Sequence, residues 1–148
     1  MIEIKHYDGQ ENLAEAVLVL AVMESVYETS PWTLEQIASS MSSQDEEYYL
    51  AYEGQELVGF LAVQTVLDEM EILQIAVKAD FQRLGIASQL MAAVMDWEGD
   101  IFLEVRESNS AAQALYTRQH FTKIGKRKDY YRHPVEDAVI MKRERDER

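Results

Sequence analysis

A mixed, layered α/β domain is the fold class that the sequence predicts, and three observations carry it. Two helix-period runs are followed by three strand-like runs, then by a helix, a strand, a helix and two closing strands, an order that lays helices against a sheet. One strand-like run is apolar almost without a break and so belongs in the sheet interior. With 148 residues, 47 % of them hydrophobic and 28 % charged, the chain has the size and balance of a single globular domain.

In chain order, Leu13, Ala16, Val17, Leu20, Ala21 and Tyr27 recur at helical spacing and predict a helix over about 10–28. It stops before Ser30-Pro31, because proline disfavours a helical residue ahead of it. Thr33 followed by Gln36 reads as a capping box for a short helix with Leu34, Ile37, Ala38 and Met41 on one face. Tyr48–Tyr52 and Leu57–Val66 flank the turn Glu53-Gly54-Gln55-Glu56 and predict an antiparallel hairpin, its second strand interior. Glu71–Val77 is a third strand. Ala87, Leu90, Met91, Val94 and Met95 then mark a helix with one inward face. Ile101–Val105 is a strand with a carboxylate, Glu104, inside it, and Ser108 or Asn109 caps a helix carrying Ala112, Leu115 and Tyr116. Phe121–Lys126 and Ala138–Met141 are the last strands, joined by a loop through Tyr130-Tyr131-Arg132-His133-Pro134. Residues 143–148 read as a frayed tail of one domain spanning 1–148.

Composition excludes several chemistries. The absence of cysteine removes disulfides, thiolate nucleophiles and cysteine zinc sites, and the three histidines lack metal-ligand spacing, so no metal is expected. Neither a signal peptide nor an apolar run approaching ~20 residues is visible, which predicts a soluble, cytoplasmic protein that engages no membrane. A net charge of −13 argues against nucleic acid as partner. Residues 1–122 hold 21 acidic and five basic side chains, whereas the last 26 residues hold nine basic and six acidic. Such an acidic body suits a cationic partner, a basic peptide or an amine, and serves solubility equally. A monomer is consistent with all of this.

The most informative segment, Val77-Lys78-Ala79-Asp80-Phe81-Gln82-Arg83-Leu84-Gly85-Ile86-Ala87-Ser88, leaves a strand and enters a helix. Backbone N–H groups at such a junction lack helical partners and can hold a pyrophosphate. Arg83 adds positive charge there, and Gly85 either clears room for a phosphate or relieves backbone strain. No Walker or dinucleotide fingerprint is present.

Gln82-Arg83-Leu84-Gly85-Ile86-Ala87 resembles the acetyl-CoA-binding motif, Q/R-x-x-G-x-G/A, of the GNAT superfamily of N-acetyltransferases. The resemblance continues in order through Pro31-Trp32-Thr33, Val66-Leu67-Asp68-Glu69, Ile75-Ala76-Val77, Leu103-Glu104-Val105-Arg106, Ser108-Asn109, Ala114-Leu115-Tyr116, Tyr130-Tyr131 and Glu136-Asp137-Ala138. Together these segments, covering about residues 31–141, are similar to the branch that acetylates the N-terminal alanine of a bacterial ribosomal protein, the RimI type. The resemblance implies a central, mostly antiparallel mixed sheet flanked by helices and acetyl-CoA as donor. It implies that the main chain of Ile75, Ala76 and Val77 pairs with the pantetheine arm, that Arg83, Leu84, Gly85, Ile86, Ala87 and Ser88 hold the pyrophosphate, and that Asn109 contacts coenzyme A. It also implies Glu104 as general base and Tyr116 as general acid.

Those two roles make chemical sense. Acetyl transfer from a thioester needs a neutral amine, a place for its surplus proton and a proton for the departing sulfur, and general acid–base help contributes ~100- to 10,000-fold. Asn109 and Tyr116 stand seven residues apart and so share a helix face. Glu69 and Glu71 are competing bases. Trp32, Tyr130 and Tyr131 are the aromatic candidates for the acceptor peptide, or core residues, with Asp129 available to a cationic group. Gln74 and Asp129 stand where the family usually has Asn, and Val135 where it has Arg, departures that bear on peptide selectivity. The implied acceptor is the N-terminus of a basic chain, a ribosomal protein in the family. Acetylation of a small amine, polyamine or lysine side chain and a non-catalytic acetyl-CoA-binding module are the alternatives.

Overall fold

The computed structural model describes residues 1–7, 9 and 13–144. The first three residues of the predicted opening helix (10–12) and residues 145–148 of the expected tail lie outside the described residues. The elements run β1 (Ile2–His6), α1 (Leu13–Val26), α2 (Leu34–Ser42), β2 (Glu46–Glu53), β3 (Glu56–Val66), β4 (Glu69–Val77), a 3-10 turn (Ala79–Phe81), α3 (Ile86–Ala92), β5 (Ile101–Arg106), α4 (Ser110–Arg118), β6 (Thr122–Tyr131) and β7 (Glu136–Arg143). Seven strands form one sheet in the order β1-β2-β3-β4-β5-β7-β6. The pairs β1–β2, β2–β3, β5–β7 and β6–β7 are antiparallel and β4–β5 is parallel, so the mixed α/β class is observed. No helix among the described residues is long and apolar enough to cross a membrane.

The chain divides into two compact units, Met1–Gln64 with Gln74–Asp96 and Thr65–Leu73 with Trp97–Arg148. In the first, α1 packs on α2 and buries Ala16, Val19, Val22 and Met23. That face is rotated from the expected one: Leu13 and Val17 are exposed. The segment is apolar nearly all round, so periodicity alone selects no face. Thr33 and Gln36 form the predicted capping box. The Tyr48 hydroxyl donates to Ser40 Oγ at 2.9 Å, linking β2 to α2, and burial pushes this phenol up to about 12. All seven residues from Leu57 to Val63 in β3 are buried, as expected of an interior strand.

The second unit buries Ile101, Leu103 and Val105 of β5 on one face, with Met70 and Ile72 of β4 in register beside Ile101 and Leu103. Phe102, Glu104 and Arg106 alternate to the opposite face and are half-buried. Leu115, Tyr116 and Phe121 complete this core around α4.

Three expectations need correction. β1 is a strand that the sequence reading did not foresee. Tyr130 and Tyr131 belong to β6, not to a loop, because pairing with β7 continues to Tyr131↔Glu136. The helix after the glycine turn ends at Ala92, after which Ala93, Val94 and Met95 donate to residues three back in tighter turns.

Candidate active site

The chemistry-bearing residues form two sets, one in each unit. In the first unit, the set begins at the end of β4. The parallel ladder of β4 with β5 covers Met70–Ile72, and Ile75, Ala76 and Val77 lie beyond its end. A Cβ on Gly59 would stand 3.0 Å from the Ala76 carbonyl oxygen and 3.2 Å from Val77 Cγ2, so glycine is what lets β3 run this close to the end of β4. The chain then turns out of the sheet: Lys78 N donates to the Val58 carbonyl at 2.8 Å and Gln82 Nε2 to the Val77 carbonyl at 2.9 Å.

Arg83 and Gly85 both hold positive φ, 66° and 80°. Gly85 caps α3, whose first bond runs from Gln89 N to the Gly85 carbonyl at 3.0 Å. The amides of Ile86, Ala87 and Ser88 therefore have no helical acceptor. A Cβ at Gly85 would meet nothing within 4 Å, so this glycine is required by its left-handed backbone and not by crowding. Ile86 is buried and anchors the turn, while Arg83 and Leu84 project into solvent. Trp32 also lies in this unit, half-buried, its carbonyl accepting from Ser30 Oγ at 2.6 Å.

The second set surrounds Glu104. Its carboxylate is 16 % exposed, and Oε2 lies 3.2 Å from Nε of Arg127 on β6. Arg106, two residues on in the same strand, is engaged elsewhere. Its guanidinium reaches Glu136 at 3.1 Å and the carbonyls of Pro134 and Arg132 at 3.0 Å each, and sits 4.5 Å from the Tyr131 ring centroid. Glu136 also accepts from Ser108 N at 2.5 Å. Hydrogen bonds from Ser108, the largest influence, and from Arg106 hold the Glu136 carboxyl below its ordinary range. Asp137 Oδ1 accepts from Asp129 N at 2.9 Å. Thus the Glu136-Asp137 pair and Arg106 brace the end of β6, which carries the two tyrosines, against the start of β7.

Tyr130 and Tyr131 meet edge to face, ring centroids 5.0 Å apart. Burial, and then the Glu104 charge, push the Tyr130 phenol above its usual value. Of the two competing carboxylates, Glu71 sits opposite Phe102 in the ladder, on the Glu104 face, whereas Glu69 is exposed at the start of β4. Burial and the neighbouring Glu104 raise Glu71, with Arg127 opposing them. Tyr116, on α4, is 5 % exposed with its ring tilted against Phe121 at 5.9 Å. Asn109 caps α4: Oδ1 accepts from Ala112 N at 3.0 Å, a bond that engages the side-chain oxygen and not the amide nitrogen.

Residues 14–121 match the model of the acetyltransferase (GNAT) family. The chain is 35 % identical over 120 residues to the [ribosomal protein bS18]-alanine N-acetyltransferase of Escherichia coli K12, covering 75 % of this chain and 79 % of that one. It is 33 % identical over 120 residues to the N-alpha-acetyltransferase RimI of Mycobacterium tuberculosis, covering 77 % and 76 %. The crystal structure of the Escherichia coli ribosomal-protein-S18-alanine N-acetyltransferase superposes with a TM-score of 0.84 at 30 % identity, over 96 % of this chain and 92 % of that one. The chain belongs to the acetyltransferase (GNAT) family, enzymes that take the acetyl group from acetyl-CoA. Its own residues fit that donor: amides without helical acceptors, a left-handed glycine beside open space, and the exposed cation of Arg83 suit an anionic pyrophosphate.

Proposed function

We propose that this chain acetylates the N-terminal α-amine of a protein, the N-terminal alanine of a basic ribosomal protein being the acceptor class that its relatives' activity suggests, in the cytoplasm. The observation that carries the proposal is Glu104, a carboxylate held half-buried in a strand, on the face opposite the core, with Arg127 as its ion-pair partner.

Ile75–Val77 offer main chain to the pantetheine arm, Arg83 with the amides from Leu84 to Ser88 holds the pyrophosphate, and Asn109 contacts the coenzyme. Acetyl-CoA, when bound, supplies an activated acetyl thioester. Glu104 takes the proton that the acceptor amine must lose, and Tyr116 donates toward the sulfur that leaves. Tyr130, beside Glu104, and Tyr131 against it offer aromatic surface to the first acceptor residues, and Trp32 and Asp129 are the further candidates for acceptor contact.

An α-amine, with a pKa of about 7.7–8.0, is on the order of 10 % neutral near pH 7, against about 0.04 % for a lysine amine. A single carboxylate base therefore suits an N-terminal acceptor better than a lysine side chain.

The test is a rate comparison with acetyl-CoA. A basic peptide beginning with alanine should be acetylated faster than the same peptide blocked at its N-terminus and faster than free polyamines. Faster modification of polyamine than of any peptide would overturn the acceptor assignment.

A further inference from the structure

The surroundings of Glu104 hold an ion that the reaction as described does not use. On the face that carries Glu104, β4 contributes Glu71, β6 contributes Arg127 and Tyr130, and the β7 residue opposite Glu104 is Ile140. Arg127 is thus the cation facing two carboxylates. Glu104 Oε2, fully enclosed as an atom, makes no hydrogen bond, and its ion-pair contact is Arg127 Nε at 3.2 Å.

Arg127 is nonetheless loosely held. Its side chain is 59 % exposed. Its guanidinium carbon stands 5.4 Å from the Tyr130 ring centroid. It lies on β6, at the edge of the sheet, where the ladder with β7 shifts register between Arg127 and Tyr131 and Asp129 takes a positive φ of 51°. A half-exposed ion pair of this kind is weak and exchangeable.

An acceptor arrives mostly as a protonated primary amine, a compact cation seeking the carboxylate that will deprotonate it. With Arg127 in place Oε2 has no exposed surface, so an ammonium approaching that oxygen competes with the guanidinium for it. We propose that Arg127 is a displaceable counter-ion: it occupies the place of the acceptor ammonium on Glu104 in the resting protein and swings toward Tyr130 and solvent when the acceptor enters. Resting on the assignment of Glu104 as base, this makes Arg127 a positioning residue that sets acceptor affinity. It admits a cation able to replace a guanidinium and gives a neutral, non-basic molecule no such foothold.

The test is steady-state kinetics of the full chain with a lysine- and arginine-rich peptide beginning with alanine. Arg127→Ala should lower the acceptor KM by about two- to fivefold, the range of a weak half-exposed pair, with kcat and the acetyl-CoA KM little changed. Guanidinium ion at millimolar, non-denaturing concentration should restore a higher acceptor KM in Arg127→Ala competitively, and Arg127→Lys should stay near the parent. An unchanged or raised acceptor KM in Arg127→Ala, or a guanidinium effect that is not competitive with the peptide, would overturn the proposal. Glu104→Gln, assayed in parallel, separates the two readings. If it retains full turnover, the base assignment fails and takes the counter-ion with it; if it is inactive while Arg127→Ala does not lower KM, the counter-ion alone fails.

Discussion

Glu104 and Glu71 share a strand face but differ in environment, and that difference predicts different behaviour. Glu104 is paired with Arg127, whereas burial and the Glu104 charge raise Glu71 above its ordinary value of 4.5. A carboxyl raised in the folded state favours folding while protonated, and that contribution is lost as pH rises through its folded pKa. Glu71→Gln should therefore raise the melting temperature at pH 7, a gain that fades as pH falls through the raised folded pKa and is gone below about pH 4.5; a variant less stable at pH 7 would contradict this electrostatic reading. In turnover the order reverses. Glu104→Gln and Tyr116→Phe should each lower kcat by ~100-fold or more with acetyl-CoA affinity kept, while Glu71→Gln should cost far less.

Glu104 and Tyr116 were nameable as candidates because each sits in an ordered run of residues resembling one family. Arg127 was not. Its meeting with Glu104 follows from two ladders, Glu104↔Ile140 and Arg127↔Ala138, which bring together residues more than twenty apart in the chain. No local pattern encodes such a register.

Among the elements, those with strong periodicity or a cap were legible: α2 with its capping box, the β2–β3 hairpin, and α4 with Asn109. β6 was cut short because eight of its ten residues are exposed, so no inside–outside alternation marks it, and its strand character comes from β7. β1 has only five residues, with Ile2 and Ile4 half-buried, too short a run to announce itself. The contact that shapes the end of β4 was equally hidden, since Gly59 reads as one more small residue in an apolar strand. Gly59→Val should push on Ala76 and Val77, costing roughly 1–3 kcal/mol of stability and raising the acetyl-CoA KM more than the acceptor KM. Denaturant melts together with the two KM values check this, and a variant with a wild-type acetyl-CoA KM would separate Gly59 from the cofactor strand.

Across the whole molecule, a charge of −13 has opposite consequences for the two substrates. The donor is an anion, and the proposed site on Arg83 and main-chain amides would capture it against the prevailing field, whereas a basic acceptor would be drawn by that field. Raising ionic strength from about 50 to about 300 mM shortens the Debye length from roughly 14 to 6 Å. The acceptor KM of a basic peptide should rise several-fold over that range while the acetyl-CoA KM holds or falls. Parallel rises in both would remove the acidic body from acceptor recognition.

The central claim is that the acceptor is an N-terminal α-amine. Its most direct measurement is fragmentation mass spectrometry of one peptide that begins with alanine and carries several internal lysines, after incubation with the protein and acetyl-CoA. The account predicts a single acetyl group on the alanine nitrogen, with loss of that product in Glu104→Gln. Acetyl groups on the lysine side chains, with the alanine amine left free, would contradict it.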